Sequence, residues 1–104
     1  MAQFDVYVNP IAEARRAYPF VVELQSDLTD SGHDRIVAPL VLHASMPQVA
    51  GRLTPIAVLD AGRHVVLIPA MAGVRGSDLG QRIGSLNSLR SELLAAIDLL
   101  FFGV

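Results

Sequence analysis

The last twelve residues, Leu93-Leu94-Ala95-Ala96-Ile97-Asp98-Leu99-Leu100-Phe101-Phe102-Gly103-Val104, constrain this chain more than any other segment, because only Asp98 among them is charged. They read as a helix running to the last residue. An exposed helix on a small domain normally buries one apolar stripe and shows water a polar face. At about 100° per residue, Leu89, Leu93, Ile97, Leu100 and Val104 fall on one stripe, flanked by Leu94 and Phe101. The opposite side carries Ser91, Ala95, Asp98, Leu99 and Phe102. That second face is too apolar to be left in water, so the pattern predicts that it meets another protein chain. The competing reading is a helix sunk on all sides in its own core, which a domain of this size seldom achieves.

A chain of 104 residues supports one domain and one core, with about two-thirds of the unfolded surface buried. With 52% apolar and 17% charged residues, the composition is that of a globular chain and not a disordered one. No apolar run approaches the ~18 residues of a membrane span. No basic start followed by an apolar core marks a secretory signal, so the expected compartment is the cytoplasm, with no membrane partner. There is no cysteine, which removes disulfides, thiolate metal sites and cysteine nucleophiles. The formal net charge is -2 and every basic residue except histidine is arginine. Direct nucleic-acid binding is not expected, since it normally needs a basic surplus to displace counterions. The missing lysine excludes a Walker-type phosphate loop and Schiff-base chemistry.

Gln3-Phe4-Asp5-Val6-Tyr7-Val8 alternates apolar and polar residues as a half-buried strand does, and Asn9-Pro10 ends it. Residues 11–17 read as an exposed loop carrying Arg15 and Arg16. Residues 18–25 read as a second strand, leading into a polar loop over 26–34. Residues 35–42 read as a third strand, in which Pro39 cannot donate to a ladder and so predicts an edge position or a bulge. One helical turn opened by Pro47 is expected within 46–53. Residues 55–59 and 64–68 flank Asp60-Ala61-Gly62-Arg63 as a hairpin, and 71–74 forms one more short strand. Glycines then mark a loop-rich stretch through Gly84, and Asn87 is the expected N-cap of the last helix. Five or six short strands and one helix give a mainly β domain with a C-terminal α-helix. The expected boundaries are a single domain over 1–104, with a barrel over about 1–86 and the helix over about 88–102.

Catalytic and metal sets are not evident. His33, His43 and His64 are too far apart for a helical ligand pair and are expected on the surface or in loops. The glycines between Gly73 and Gly84 follow neither the dinucleotide nor the phosphate-loop spacing. Asp27, Asp30 and Asp34 crowd one loop with His33 and Arg35, a group that could hold a cation or support acid–base work, but turn-forming aspartates in a solvated loop are the favoured explanation. The expectation is no catalytic residue, no metal and no cofactor.

Three stretches then carry a likeness: Gln25-Ser26-Asp27-Leu28-Thr29-Asp30, Arg35-Ile36-Val37-Ala38-Pro39-Leu40, and Ala96-Ile97-Asp98-Leu99-Leu100-Phe101-Phe102-Gly103-Val104. With Gln3-Phe4-x-Val6-Tyr7, in the same order and over essentially the whole length, the chain resembles the CcdB family of toxins from plasmid and chromosomal toxin–antitoxin pairs. The resemblance implies a small SH3-like antiparallel barrel of the CcdB/MazF type, closed by the helix and paired as a homodimer. It implies a non-enzymatic toxin that binds the A subunit of DNA gyrase, traps the cleaved-DNA complex and is neutralised by a CcdA-like antitoxin that folds on contact. The gyrase-binding positions implied are Leu28, Thr29 and Asp30 in the loop, with Asp98, Phe101, Phe102, Gly103 and Val104 at the helix end. Phe102 stands where the best-known pattern has Trp against an arginine of gyrase, and Asp98 where it has Asn. Arg15 and Arg16 are candidates for attracting an acidic antitoxin segment. Two rival readings are a MazF/Kid-like endoribonuclease, built on Arg35, His33 and Asp27, and a degenerate relative that only binds an antitoxin.

Overall fold

Phe4 sets where the first strand begins. The computed structural model describes residues 2–26 and 34–104. Phe4 is fully buried and has φ +69°, a left-handed conformation that a bulky side chain rarely adopts. Its N–H donates to Glu23 C=O at 2.7 Å, and its C=O accepts from Leu86 N–H at 2.8 Å. The predicted strand over 3–8 is therefore shortened to β1 (Asp5–Val8). The other strands are β2 (Phe20–Glu23), β3 (Asp34–Leu42), β4 (Ile56–Leu59), β5 (Gly62–Val66), β6 (Ala72–Arg75) and β7 (Arg82–Ser85), and the chain ends in helix α1 (Arg90–Phe102).

All ladders are antiparallel, in the order β4-β5-β3-β2-β1-β7, with β6 also on β3. The predicted hairpin is present as β4 and β5, and Gly62 supplies the φ of +113° that its turn needs. β7 was not legible: residues 82–85 read as loop, yet they pair with β1 around a bulge at Ile83. The curled sheet is a barrel left open between β4 and β7, which face each other across a cavity of about 370 Å³ instead of a ladder.

Pro39 corrects an expectation. β3 is the central strand, not an edge, and Pro39 lies in its middle opposite Val21. The strand tolerates it because two partners succeed each other along one side. Residues 34–37 pair with β6 and residues 40–42 with β5. Pro39 C=O accepts from Leu67 N–H at 2.9 Å, so the missing donor falls on that same side, at the gap between the two partners.

Period-2 alternation sorts the side chains onto two faces. Phe4, Val6, Val22, Leu24, Ala38, Leu40, Ala57, Val66, Ile68 and Leu86 form the main core, with Leu93 and Ala96 of the helix. Tyr7, Val21, Val37 and Leu79 form a smaller cluster on the other face. There Glu23 and Arg35, diagonal neighbours on β2 and β3, make an ion pair with only 0% and 2% of the side chains exposed. His64 is also buried, against the expectation of a surface or loop position. It packs edge-on against Phe20 with centroids 5.3 Å apart, and its Nδ1 lies 2.9 Å from Gly62 C=O. The strand places it inward, and a polar residue on an inward register cannot be told from a surface one by composition.

Candidate functional site

The helix divides its residues between core and solvent, with two corrections. Leu93 and Ala96 are buried, and Leu89, Leu94, Ile97 and Leu100 pack partly against them. Beyond the turn that opens it, the helix comes closest to the 3₁₀ turn over Ile68–Ala70 that follows β5. Val104 does not extend the stripe and Phe101 barely flanks it, for they are 81% and 61% exposed. Gly103 is the reason for Val104. Its φ of +73° ends the helix, with its N–H donating to Leu99 C=O at 3.1 Å, and turns the last residue off the helical path. Asn87 does not cap α1. It opens a 3₁₀ turn over Asn87–Leu89, its N–H donates to Ser85 Oγ at 3.1 Å, and the α-helix starts at Arg90 with no side-chain cap. Arg90 instead ties the helix start to the residues just before β1, its guanidinium 5.8 Å from the Phe4 ring centroid and 3.1 Å from Gln3 Oε1.

The outward face carries Ser91, Ala95, Asp98 and Phe102, all exposed, with Leu99 half-buried between faces. Phe102 is 74% exposed. This removes the reading of a helix sunk on all sides. Asp98 and Phe102 stand four residues apart, so a carboxylate and an aromatic ring are neighbours one turn apart on the same face.

Leu28, Thr29 and Asp30 lie outside the described residues, as do Asp27 and His33. The chain on either side of them is described. Leu24, Gln25 and Ile36 line an apolar groove of about 210 Å³ together with Met71, Ile97 and Phe101. The neck of that loop thus adjoins the helix end, and Gln25 Oε1 accepts from Ile36 N–H at 3.3 Å across it. Sequence reasoning missed Ile36 and Met71. Ile36 is a third exposed despite its place in a central strand, and only knowledge of the strand register identifies such a residue.

Arg15 and Arg16 are exposed on the β1–β2 connection, at the opposite end of β2 from the loop neck. The four residues of β2 separate the two by about 13 Å, so the structure does not unite the arginines with the helix-end site through that strand. Asn9 staples the connection, donating from Nδ2 to Tyr18 C=O at 2.8 Å and accepting at Oδ1 from Ile11 N–H at 2.9 Å.

The acid–base candidates are dispersed where they are described. Asp34 is exposed on β3, and Arg35 is turned inward onto Glu23, closed to a phosphate. Among the described residues no three His, Asp or Glu side chains converge on a point where a metal could sit. On the second face, burial pushes the Tyr7 phenol above its ordinary value. The Asp5 and Glu23 carboxylates add to that rise, and Arg82 and Arg35 oppose it. Arg82 Nε donates to Asp5 Oδ1 at 2.9 Å. Among the described residues, no helix is long and apolar enough to cross a membrane.

A curled antiparallel barrel, one terminal helix and an aromatic-Gly-aliphatic ending are now joined in one architecture. A family model described as CcdB protein matches residues 3–103. The chain belongs to the CcdB family. Membership makes it the toxin component of a type II toxin–antitoxin pair, and CcdB toxins act by binding, without catalysing a reaction. The CcdB match spans the loop neck and the helix end as far as Gly103, so all of the candidate site except Val104 falls within it.

Proposed function

We propose that this protein poisons DNA gyrase, binding the A subunit and trapping the cleaved-DNA complex, and that a CcdA-like antitoxin reverses the block. The observation that carries this reading is the outward face of α1, where Asp98 and Phe102 stand exposed beside Phe101 and Val104. An aromatic face and a carboxylate one turn apart suit a guanidinium. The ring attracts it by a cation–π contact, worth roughly 0.5–2 kcal/mol according to desolvation, and the carboxylate accepts a charge-assisted hydrogen bond. Phenylalanine is a weaker partner than tryptophan for the first contact, and Asp98 offsets this with a full negative charge. Gly103 sets the direction of Val104, and Leu28, Thr29 and Asp30 complete the contact from the loop whose neck adjoins Phe101.

The active form is a two-fold homodimer with the helix ends near the dyad, where the symmetry sets two copies of the tip, Phe102 and Val104, side by side and still open to the target. Arg15 and Arg16 assist antitoxin capture from the far end of the barrel, and a gyrase target places the action in the cytoplasm. The deciding experiment is an in-vitro gyrase cleavage assay, run at micromolar protein with sedimentation in parallel. Trapped cleaved DNA from a dimeric species is the expected result. A dimer that leaves gyrase cycling freely would refute the target assignment, and a monomer that traps cleaved DNA would refute the dimer.

A further inference from the structure

β4 has an open edge. It pairs with β5 alone, and among the described residues no strand pairs with its other side. Pro55 C=O accepts from Val66 N–H at 2.9 Å, so the backbone groups of residues 55, 57 and 59 point at β5. Those of Ile56 and Val58 point away, by the alternation of an antiparallel ladder. The strand is Ile-Ala-Val-Leu, with no charge or proline to blunt it, and Val58 is 70% exposed. β7, at the other end of the sheet path, is protected by contrast. It carries Arg82, Gly84 and the bulge at Ile83.

Two grooves share β4 as a wall. One, of about 660 Å³, lies between Pro55 and Ile56 and the helix residues Leu89, Glu92 and Ala95. The other, of about 370 Å³, lies between Val58 and Leu59 and β7. A chain laid on the four residues of β4, about 13 Å at strand rise, runs from the first groove into the second. The charged residues of the two linings are Arg52 and Glu92 in the first and Asp60 in the second, so the far end offers one carboxylate, with the exposed Arg63 across the strand pair from Val58. Outward N–H and C=O groups at alternate residues are matched in spacing by another extended backbone, which is how strand addition achieves affinity.

We propose that the free edge of β4 takes an extended peptide segment of a partner protein by strand addition, its apolar side chains alternating along the two grooves and a basic residue meeting Asp60. The inference is independent of the gyrase reading, since it uses neither the helix end nor the loop.

The probe is the blocked peptide Val-Thr-Val-Thr-Val-Arg, compared with the same peptide ending in Glu, and the readout is residue-resolved amide exchange on the intact protein. With the arginine peptide, the Ile56 and Val58 amides should exchange at least about tenfold more slowly, and the glutamate peptide should bind several-fold more weakly. Val58→Pro removes a donor that faces away from β5, so it should keep the melting temperature within a few degrees and abolish peptide binding. Absence of protection at Ile56 and Val58 up to about 1 mM peptide would overturn the proposal, as would equal binding to Val58→Pro. Slow exchange at both amides without peptide, relieved by dilution, would also overturn it by showing that a second copy covers the edge.

Discussion

Truncating Phe102 and truncating Leu93 should have opposite consequences, although both are large apolar residues of one thirteen-residue helix. Phe102 is 74% exposed and Leu93 is fully buried. A phenylalanine that buries about 200 Å² when enclosed keeps only about a quarter of that covered here. At about 25 cal/mol per Å² this amounts to ~1 kcal/mol, an upper figure because the unfolded chain is itself partly compact. Phe102→Ala should therefore lower the melting temperature by a few degrees and abolish gyrase trapping. Leu93→Ala removes a side chain packed among Phe4, Val22 and Leu40 of the main core and should cost about 2–5 kcal/mol, or more than ~10 °C in a domain of this size. At a temperature where it remains folded, it should still trap cleaved DNA. Thermal melts and gyrase cleavage are measured side by side on the three proteins. A Phe102→Ala protein that melts far earlier yet traps cleaved DNA when cold would show that the outward face has been misassigned.

Three further outcomes follow from the other face of the sheet and from the β1–β2 connection. Arg35→Met leaves the Glu23 carboxylate buried without its guanidinium and should destabilise by about 3–5 kcal/mol in chemical denaturation, while Glu23→Leu with Arg35→Met recovers most of the loss; a single variant as stable as the parent would contradict the buried pair. Tyr7 has a folded pKa raised above the phenol value of about 10, so its contribution to stability is complete below that pH and is lost as pH rises through the folded value. In a Tyr18→Phe protein, where Tyr7 is the sole phenol, the ultraviolet titration should be displaced upward and coincide with alkaline unfolding, and a midpoint at about 10 in a folded protein would refute this. Reversing the charge of Arg15 and Arg16 together should slow antitoxin association at low salt and leave the fold intact, with a modest drop in melting temperature because Arg15 Nε donates to Asn9 C=O; an unaltered on-rate removes the connection from antitoxin capture.

The elements that a local pattern specifies were legible, and those that depend on a distant partner were not. The β4–β5 hairpin announces itself through Asp60-Ala61-Gly62, because a turn residue with positive φ must be supplied at that point in the chain. The helix stripe was readable from 3.6-residue spacing, down to Leu93 at its centre. Pro39 misled because proline reports a missing donor, and whether that donor is needed depends on where β5 stops and β6 starts, some 25 to 35 residues away in sequence. β7 was hidden by its bulge and by Gly84, which break the alternation that betrays a strand. Arg35 and Glu23 are polar residues on inward positions, and nothing local to either names the other as its partner. Of the candidate site, the exposed apolar face of the helix was legible in the residue pattern, and its assignment to gyrase rests on the family resemblance. The groove beneath Phe101 needed the three-dimensional meeting of Leu24, Ile36 and Ile97.

If the helix end is the gyrase-binding surface proposed above, its geometry keeps folding and recognition on separate atoms. Had α1 continued in regular fashion through residue 104, Val104 would have followed Leu93, Ile97 and Leu100 onto the core side of the helix. The left-handed Gly103 prevents this, and a side chain at that position would resist the conformation by about 1 kcal/mol or more. The last turn is thereby committed to solvent with Phe102 and Val104 on display, while Leu93 and Ala96 hold the helix from one turn or more below. A binding surface built this way tolerates change at its tip without loss of the core. The departures at Asp98 and Phe102 should therefore act on target affinity and leave the barrel intact. Exchanging them for Asn and Trp tests this: gyrase trapping should change while melting stays within a few degrees, and a large drop in melting temperature would mean that the tip carries part of the fold.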